Sequence, residues 1–348
     1  MPSKLRNGNP GTAGRPKTTR HAGARARLVA GALLLGGQFM PLEALELQGH
    51  RGARGLAPEN TLAGFATALR IGVHTLELDV GMTADGIVVV SHDPRLNPNI
   101  TRDPGGQWLT GPGPVIHRNA YAEIARYDVG GLKPGTRYAS RYPDQRPTPG
   151  ESIPTLKSVI ENADATTGGT VRYNIEIKID PEEPELTADA AALVDAVIAV
   201  LREMGAAGRA VVQSFDWSVV QRVHEVAPDL TTACLSAQQD WMDTIEADAP
   251  GATAWTAGIA SDVHDGSVPD MVHATGAAIW SPYHGDLDAA KLARAHQLGL
   301  RVVVWTVNDP DKMRSLIEMG VDAIISDFPD RLREVAARKG LPLPAAAP

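Results

Sequence analysis

The sequence predicts an α/β fold, a TIM-type (β/α)8 barrel with a β-hairpin after its second strand and a small inserted subdomain. Three observations predict it. Short β-branched runs alternate with amphipathic stretches from residue 45 to about 339, the pattern of repeated βα units around a parallel sheet. Nine runs read as strands, but only six residues join Val80 to Ile87, too few for a parallel crossover; one run is therefore an antiparallel return, and eight remain to close a barrel. Setting aside a stretch rich in Gly, Pro, Arg and Tyr at 97–153 leaves 239 residues of the span 45–340, close to the roughly 250 of such a barrel.

In order, the strands fall at 45–50, 75–80, 87–91, 172–179, 210–215, 231–235, 277–281, 301–306 and 323–326. Asp85-Gly86 supplies the turn that sends 87–91 back along 75–80. A helix at 61–71 follows Pro58-Glu59-Asn60, with Asn60 or Thr61 able to cap its free amides and Gly72 to stop it. A second, at 186–204, is rich in Ala, Leu and Val and ends at Gly205. The segment 97–153 reads as an inserted lid, and 341–348 as a Pro-Ala tail.

With 43% hydrophobic and 21% charged residues, the chain has the make-up of a globular, enzyme-sized body. Its N-terminus differs. Lys4, Arg6, Arg15, Lys17, Arg20, Arg25 and Arg27 precede a short apolar run with no acid among them. A basic stretch before an apolar run too short to span a membrane reads as a secretory signal, so residues 1–44 are expected to direct export to the periplasm or medium. Ala44 offers a cleavage point, although Leu42 stands where a small residue is preferred, and a cytoplasmic chain with a basic tail is the alternative. Without those seven basic residues the net charge is −15 rather than −8, which disfavours nucleic acid and anionic membranes as partners and leaves an anionic small molecule to a local cationic pocket. Cys234, the single cysteine, excludes an internal disulfide and thiolate clusters and reads as a small core residue.

The chemistry concentrates on strand ends. In 75–80 the period of two puts Glu77 and Asp79 on one face and Leu76, Leu78 and Val80 on the other; a barrel strand turns its apolar face to the helices, so the acids point inward near the C-terminal end. Asn174, Glu176 and Lys178 share the polar face of their strand in the same way. Three carboxylates without a thiol favour a hard divalent cation, Ca²⁺ or Mg²⁺, unless Glu176 merely pairs with Lys178 or Arg172. Arg51 offers a planar fork for a phosphate oxygen. His50 and His92 end strands facing the same centre, and two imidazoles can take one proton and give another. Gln213 and Trp305 lie on the same rim, placed either to hold the alcohol part of a substrate or simply to pack there. His117, His264 and His284 read as surface or loop residues.

These residues stand in runs that resemble the glycerophosphodiester phosphodiesterases: His50-Arg51-Gly52-Ala53, Ala57-Pro58-Glu59-Asn60-Thr61, Glu77-Leu78-Asp79-Val80, Val90-Ser91-His92-Asp93-Pro94, Asn174-Ile175-Glu176-Ile177-Lys178, Gln213-Ser214-Phe215, Trp305-Thr306-Val307-Asn308 and Ile325-Ser326-Asp327-Phe328-Pro329. The resemblance runs in order along nearly the whole body. It implies a barrel with a small insertion, a divalent ion on Glu77, Asp79 and Glu176, acid and base at His50 and His92, phosphate on Arg51 with Lys178 in support, and Trp305 beside glycerol. The implied reaction converts deacylated phospholipids to sn-glycerol 3-phosphate and an alcohol, with attack by a glycerol hydroxyl before water as one order of events. Two other readings remain: a lysophospholipase D or phospholipase D-like activity on acylated lipids, and a barrel that binds glycerol phosphates without turning them over.

Overall fold

The computed structural model describes residues 45–247 and 250–348, so the expected export signal at 1–44 lies outside the described residues. The chain runs β1 (Glu46–Gly49), α1 (Leu62–Ile71), β2 (Thr75–Met82), β3 (Val88–Val90), α2 (Tyr121–Ile124), α3 (Arg137–Ser140), α4 (Leu156–Thr167), β4 (Arg172–Ile177), α5 (Ala190–Glu203), β5 (Ala210–Ser214), α6 (Trp217–Val226), β6 (Thr231–Ser236), β7 (Gln238–Gln239), β8 (Met242–Asp243), α7 (Val268–Thr275), β9 (Ile279–Pro282), α8 (Ala289–Gln297), β10 (Arg301–Val304), α9 (Pro310–Met319), β11 (Ala323–Ser326) and α10 (Pro329–Arg338). Strands pair in the order β1, β11, β10, β9, β6, β5, β4, β2, and β1 pairs again with β2. Eight parallel strands therefore close on themselves, each followed by a helix, as expected.

The expected antiparallel return is β3, which pairs Val90 with Val80 around a turn in which Gly86 has φ 79°. Thr61 rather than Asn60 caps α1, accepting from the Gly64 amide at 3.0 Å, which leaves Asn60 free for the site. The helix expected from 186 begins at Ala190, where Asp189 caps it by accepting from the Ala192 amide. The β7–β8 hairpin was not expected: strands of two residues are too short to display an alternation.

Outward-facing Leu76, Leu78, Tyr173 and Ile175 pack under the helices in the main core, each such aliphatic side chain worth about 1.5–3 kcal/mol when fully buried. Inside, the barrel divides. Ala233, Ile279, Val303, Ala323 and Ile325 of β6, β9, β10 and β11 form an apolar half, whereas Glu46, Gln48, Glu77, Asn174 and Gln213 of β1, β2, β4 and β5 form a polar one. Segment 97–153 packs Ile116, Ile124, Val129 and Ile153 into a small core against Leu96 and against Val89 of β3. The Pro-Ala tail is docked: the Ala347 amide donates to the Leu69 carbonyl at 2.9 Å, and Arg333 donates to that of Pro344 at 2.8 Å. Cys234 is fully buried, as expected of a core residue.

Candidate active site

Parallel register assembles the acids. Asp79 stands beside Glu176 across β2 and β4, and Glu176 beside Gln213 across β4 and β5, so one layer at the C-terminal mouth carries all three side chains. Glu77, Asp79 and Glu176 are 2%, 0% and 7% exposed and bring one carboxylate oxygen each within 4.8 Å of one another. That span is about twice the roughly 2.4 Å of a hard cation–oxygen bond, so one ion can touch all three. Two further observations fit a cation. The buried Asp79 Oδ1 accepts no hydrogen bond, although Lys178 Nζ lies 3.8 Å away. Burial, then Asp79 and Glu176, raise the Glu77 carboxyl well above its ordinary range. Burial likewise lifts Glu176, to about 7, against the pull of Lys178. These three carboxylates form a group able to hold a metal ion.

The ion pair between Glu176 and Lys178 does form, at 2.6 Å, while Arg172 pairs instead with Glu46. Because the same Glu176 side chain also meets Glu77 and Asp79, pairing and ligation are compatible.

The two histidines are built alike. His50 Nδ1 lies 2.6 Å from Asp327 Oδ1, and His92 Nδ1 lies 2.8 Å from Asp93 Oδ1. A carboxylate can only accept, so each Nδ1 carries the proton donated and each Nε2 is left as the acceptor. His50 Nε2 sits 3.9 Å from Glu77 Oε2, at the metal-ligand group. Burial, then Arg54, pushes the His50 imidazole down to about 4; burial, then Arg51 and Lys178, lowers that of His92. Both are neutral at pH 7, and Arg51 is close enough to act on each.

Arg51 holds φ 49°, an uncommon conformation for a side chain of its size, and its carbonyl accepts from the amide of Asn60, itself at φ 54°. Its own amide donates to Glu77 Oε2 at 2.9 Å. In the guanidinium, Nη1 donates to Glu59 Oε1 at 2.8 Å, and Nε lies 3.1 Å from Asp79 Oδ2 in an ion pair too poorly aligned to be a hydrogen bond. Asn60 donates to the same Asp79 oxygen at 2.9 Å.

Gln213 differs from its expected role. It is 1% exposed; its amide donates to Glu77 Oε1 at 3.2 Å and its carbonyl accepts from Asn174 at 3.1 Å. Both ends are engaged by side chains of β2 and β4, so it helps to orient Glu77. Trp305 does reach the mouth, anchored by its indole donating to the Ser281 carbonyl at 2.9 Å. It meets Phe215, Tyr283 and Trp241 edge-on at centroid distances of 5.3–6.3 Å, an aromatic corner crowned by Trp241, 59% exposed on the β7–β8 hairpin. His284, expected as a loop residue, is half-buried against Tyr283 at 4.5 Å.

Sequence reasoning left several working residues without a role: Asp93, Asp327, Glu59, Arg54 and Asn308. Arg54 grips Asp327 through Nε at 2.8 Å and Nη2 at 3.1 Å, and Asn308 donates to Asp327 at 2.7 Å. All but Arg54 lie inside the motif runs, which was the available signal.

The sequence profile of the glycerophosphoryl diester phosphodiesterase family matches residues 50–331, from the first of these histidines to the start of the last helix. The chain belongs to that family. Membership carries the activity in the family's name, hydrolysis of glycerophosphoryl diesters, and makes the chain an enzyme. Among curated relatives it is similar to the glycerophosphodiester phosphodiesterase of Bacillus subtilis (strain 168), 25% identical over 82% of this chain and 84% of that one. A Silicibacter pomeroyi DSS-3 crystal structure provisionally named a glycerophosphoryl diester phosphodiesterase is 38% identical, with TM-score 0.77 over 86% of this chain and 95% of that one. An Oleispira antarctica phosphodiesterase in complex with the product sn-glycerol-3-phosphate is 22% identical, with TM-score 0.60 over 84% and 97%, and shares the fold.

Proposed function

We propose that this glycerophosphodiesterase works with a divalent ion, Ca²⁺ or Mg²⁺, on Glu77, Asp79 and Glu176, and with His50 and His92 as its proton carriers, releasing sn-glycerol 3-phosphate and an alcohol. The observation that carries the reading is the matched pair of imidazoles, each with Nδ1 held by a carboxylate and Nε2 left to accept, around a carboxylate group that fits one ion. When bound, the ion would supply positive charge against a phosphate oxygen. Arg51 offers its remaining nitrogen, Nη2, which donates no hydrogen bond among the described residues, to another phosphate oxygen. One imidazole Nε2 takes the proton of the attacking hydroxyl; the other, neutral in the free protein, gives one to the leaving alcohol after taking it up beside the anionic substrate, whose charge favours the protonated form. Trp305 and its aromatic neighbours present an apolar wall to the carbon skeleton of the substrate.

The test is a panel of glycerophosphodiesters assayed with Ca²⁺ and with Mg²⁺, reading released glycerol 3-phosphate. We expect turnover that chelation abolishes and that His50→Ala or His92→Ala lowers by about 10²-fold or more in folded protein. Turnover indifferent to chelation and to both substitutions would defeat the role assignments. Trp241, exposed beside the mouth, favours a second reading, acceptance of acylated lysophospholipids, and including these in the panel decides it. Among the described residues no helix is long and apolar enough to cross a membrane. We further propose export, supported by the basic and apolar segments of residues 1–44; fractionation with mass analysis of the mature N-terminus tests it.

A further inference from the structure

The inserted segment reaches into the machinery at one helix. Tyr138, on α3, donates from its hydroxyl to Glu59 Oε2, the oxygen left over when Glu59 Oε1 accepts from Arg51 Nη1 at 2.8 Å. Glu59 is buried, so its two oxygens have these two donors in place of water. The hydroxyl also lies 3.4 Å from Arg54 Nη1, the guanidinium that grips Asp327 behind His50. Four residues on, Tyr142 packs edge-on against Tyr138 at 5.5 Å and lies under the Arg54 guanidinium at 5.0 Å.

We propose that Tyr138 is a positioning residue: acting through Glu59, it fixes the rotation of the Arg51 guanidinium so that Nη2 faces the phosphate. The inference rests on the phosphate role given to Arg51 above. A guanidinium held by one carboxylate oxygen can swing about that contact. Here the carboxylate itself is pinned from behind by a phenol, and the Asp79 contact at Nε supplies the second point that fixes the plane. Burial and the Glu59 charge hold the Tyr138 phenol well above its ordinary range, which keeps its proton available for donation. The insertion then has a part in the site: its α3 turn braces the anion-binding fork.

The experiment compares Tyr138→Phe, Glu59→Gln and the double variant in the full chain. Three readouts are taken with saturating Mg²⁺ or Ca²⁺: kcat/KM on a glycerophosphodiester, the dissociation constant of sn-glycerol 3-phosphate, and the thermal midpoint. Tyr138→Phe keeps the ring and its packing and loses only the bond. We expect it to weaken glycerol 3-phosphate binding and kcat/KM by about tenfold, the worth of one hydrogen bond to a charged group, with the midpoint little changed. In the Glu59→Gln background the same substitution should have almost no further effect, because both act on one guanidinium. Additive losses, or native kcat/KM and affinity in folded Tyr138→Phe, overturn the proposal. If Tyr138→Phe does not fold, Glu59→Gln carries the test, and native glycerol 3-phosphate affinity in it overturns the proposal. Tyr142→Phe, whose lost hydroxyl reaches Asp327 at 3.5 Å rather than Glu59, should leave that affinity unchanged, and a loss of about tenfold there overturns the assignment to Tyr138. Absence of turnover in the unaltered chain would instead overturn the function proposed above.

Discussion

At the scale of single residues, the site is governed by what stands behind each reacting group. Asp327 accepts from His50 Nδ1 and is itself gripped by Arg54 and Asn308; Arg54 and then His50 hold its carboxyl well below the ordinary range against the effect of burial. Asp327→Asn keeps the shape but removes the obligatory acceptor, letting the His50 proton move to Nε2. We expect kcat to fall by about 10²-fold or more with a smaller change in KM, the sign of a group that matters in the transition state; an unchanged kcat in folded protein would refute it. Glu77 makes a second case. Its carboxyl is raised by burial and by two like charges, and a raised acid opposes folding above its unfolded value near 4.5, so the metal-free protein should gain stability as pH falls from the folded value towards that point. Glu77→Gln removes the burden: we expect the metal-free protein to become about 1–2 kcal/mol more stable and metal affinity to drop by about 10²-fold. Thermal melts in chelator together with calorimetric metal titration measure both, and a destabilised metal-free variant would count against the account.

At the scale of elements, the turn between β1 and α1 is the piece on which most contacts converge. It carries His50, Arg51, Arg54, Glu59 and Asn60 within eleven residues, and it folds tightly because Gly52 takes φ 86° against the backbone of α1. A Cβ at Gly52 would lie 2.7 Å from the Gly64 carbonyl carbon, backbone that cannot swing aside. Gly52→Ala should therefore cost about 2 kcal/mol, from the unfavourable φ and from the shift forced on the turn. It should also weaken phosphate binding, because Arg51 is the preceding residue. Urea denaturation and glycerol 3-phosphate titration would register both, and a variant with native midpoint and affinity would mean that the turn tolerates displacement. The strand elements were legible because Glu77, Asp79 and Glu176 alternate with residues such as Leu78 and Ile175 that bury under helices. The β7–β8 hairpin and the partners of Gln213 were not: the first is too short for a pattern, and the second depends on which strand lies alongside.

At the scale of the whole molecule, the contacts hardest to read from sequence are those that exist only once the barrel closes. His50 and Asp327 stand 277 positions apart and meet because β1 pairs with β11; His50 was legible as a strand-end imidazole, its partner only as part of a motif. Glu46 is the clearest instance. Between Leu45 and Leu47 it looks like an ordinary alternating position, yet it is buried at the opposite end of the barrel from the site, where it accepts from Thr75 at 2.5 Å, Gln48 at 3.0 Å and Arg301 at 2.9 Å and pairs with Arg172 at 3.1 Å. One carboxylate thus ties β1, β2, β4 and β10. From Gln48 the bonds continue through Asn174 to Gln213 and Glu77, joining this clamp to the metal-ligand group. Its carboxyl is lowered, burial being outweighed by Arg172 and Arg301. The stabilisation is therefore complete above the unfolded value of about 4.5 and disappears as pH falls through the lower folded value. Glu46→Gln should cost ~2 kcal/mol at pH 7, less than a fully buried pair because both arginines are about one-third exposed. Urea midpoints of the two proteins should draw together below about pH 4 as the native carboxylate protonates; midpoints already equal at pH 7, or a gap that persists undiminished in acid, would show that the clamp carries no such charge-dependent share of stability.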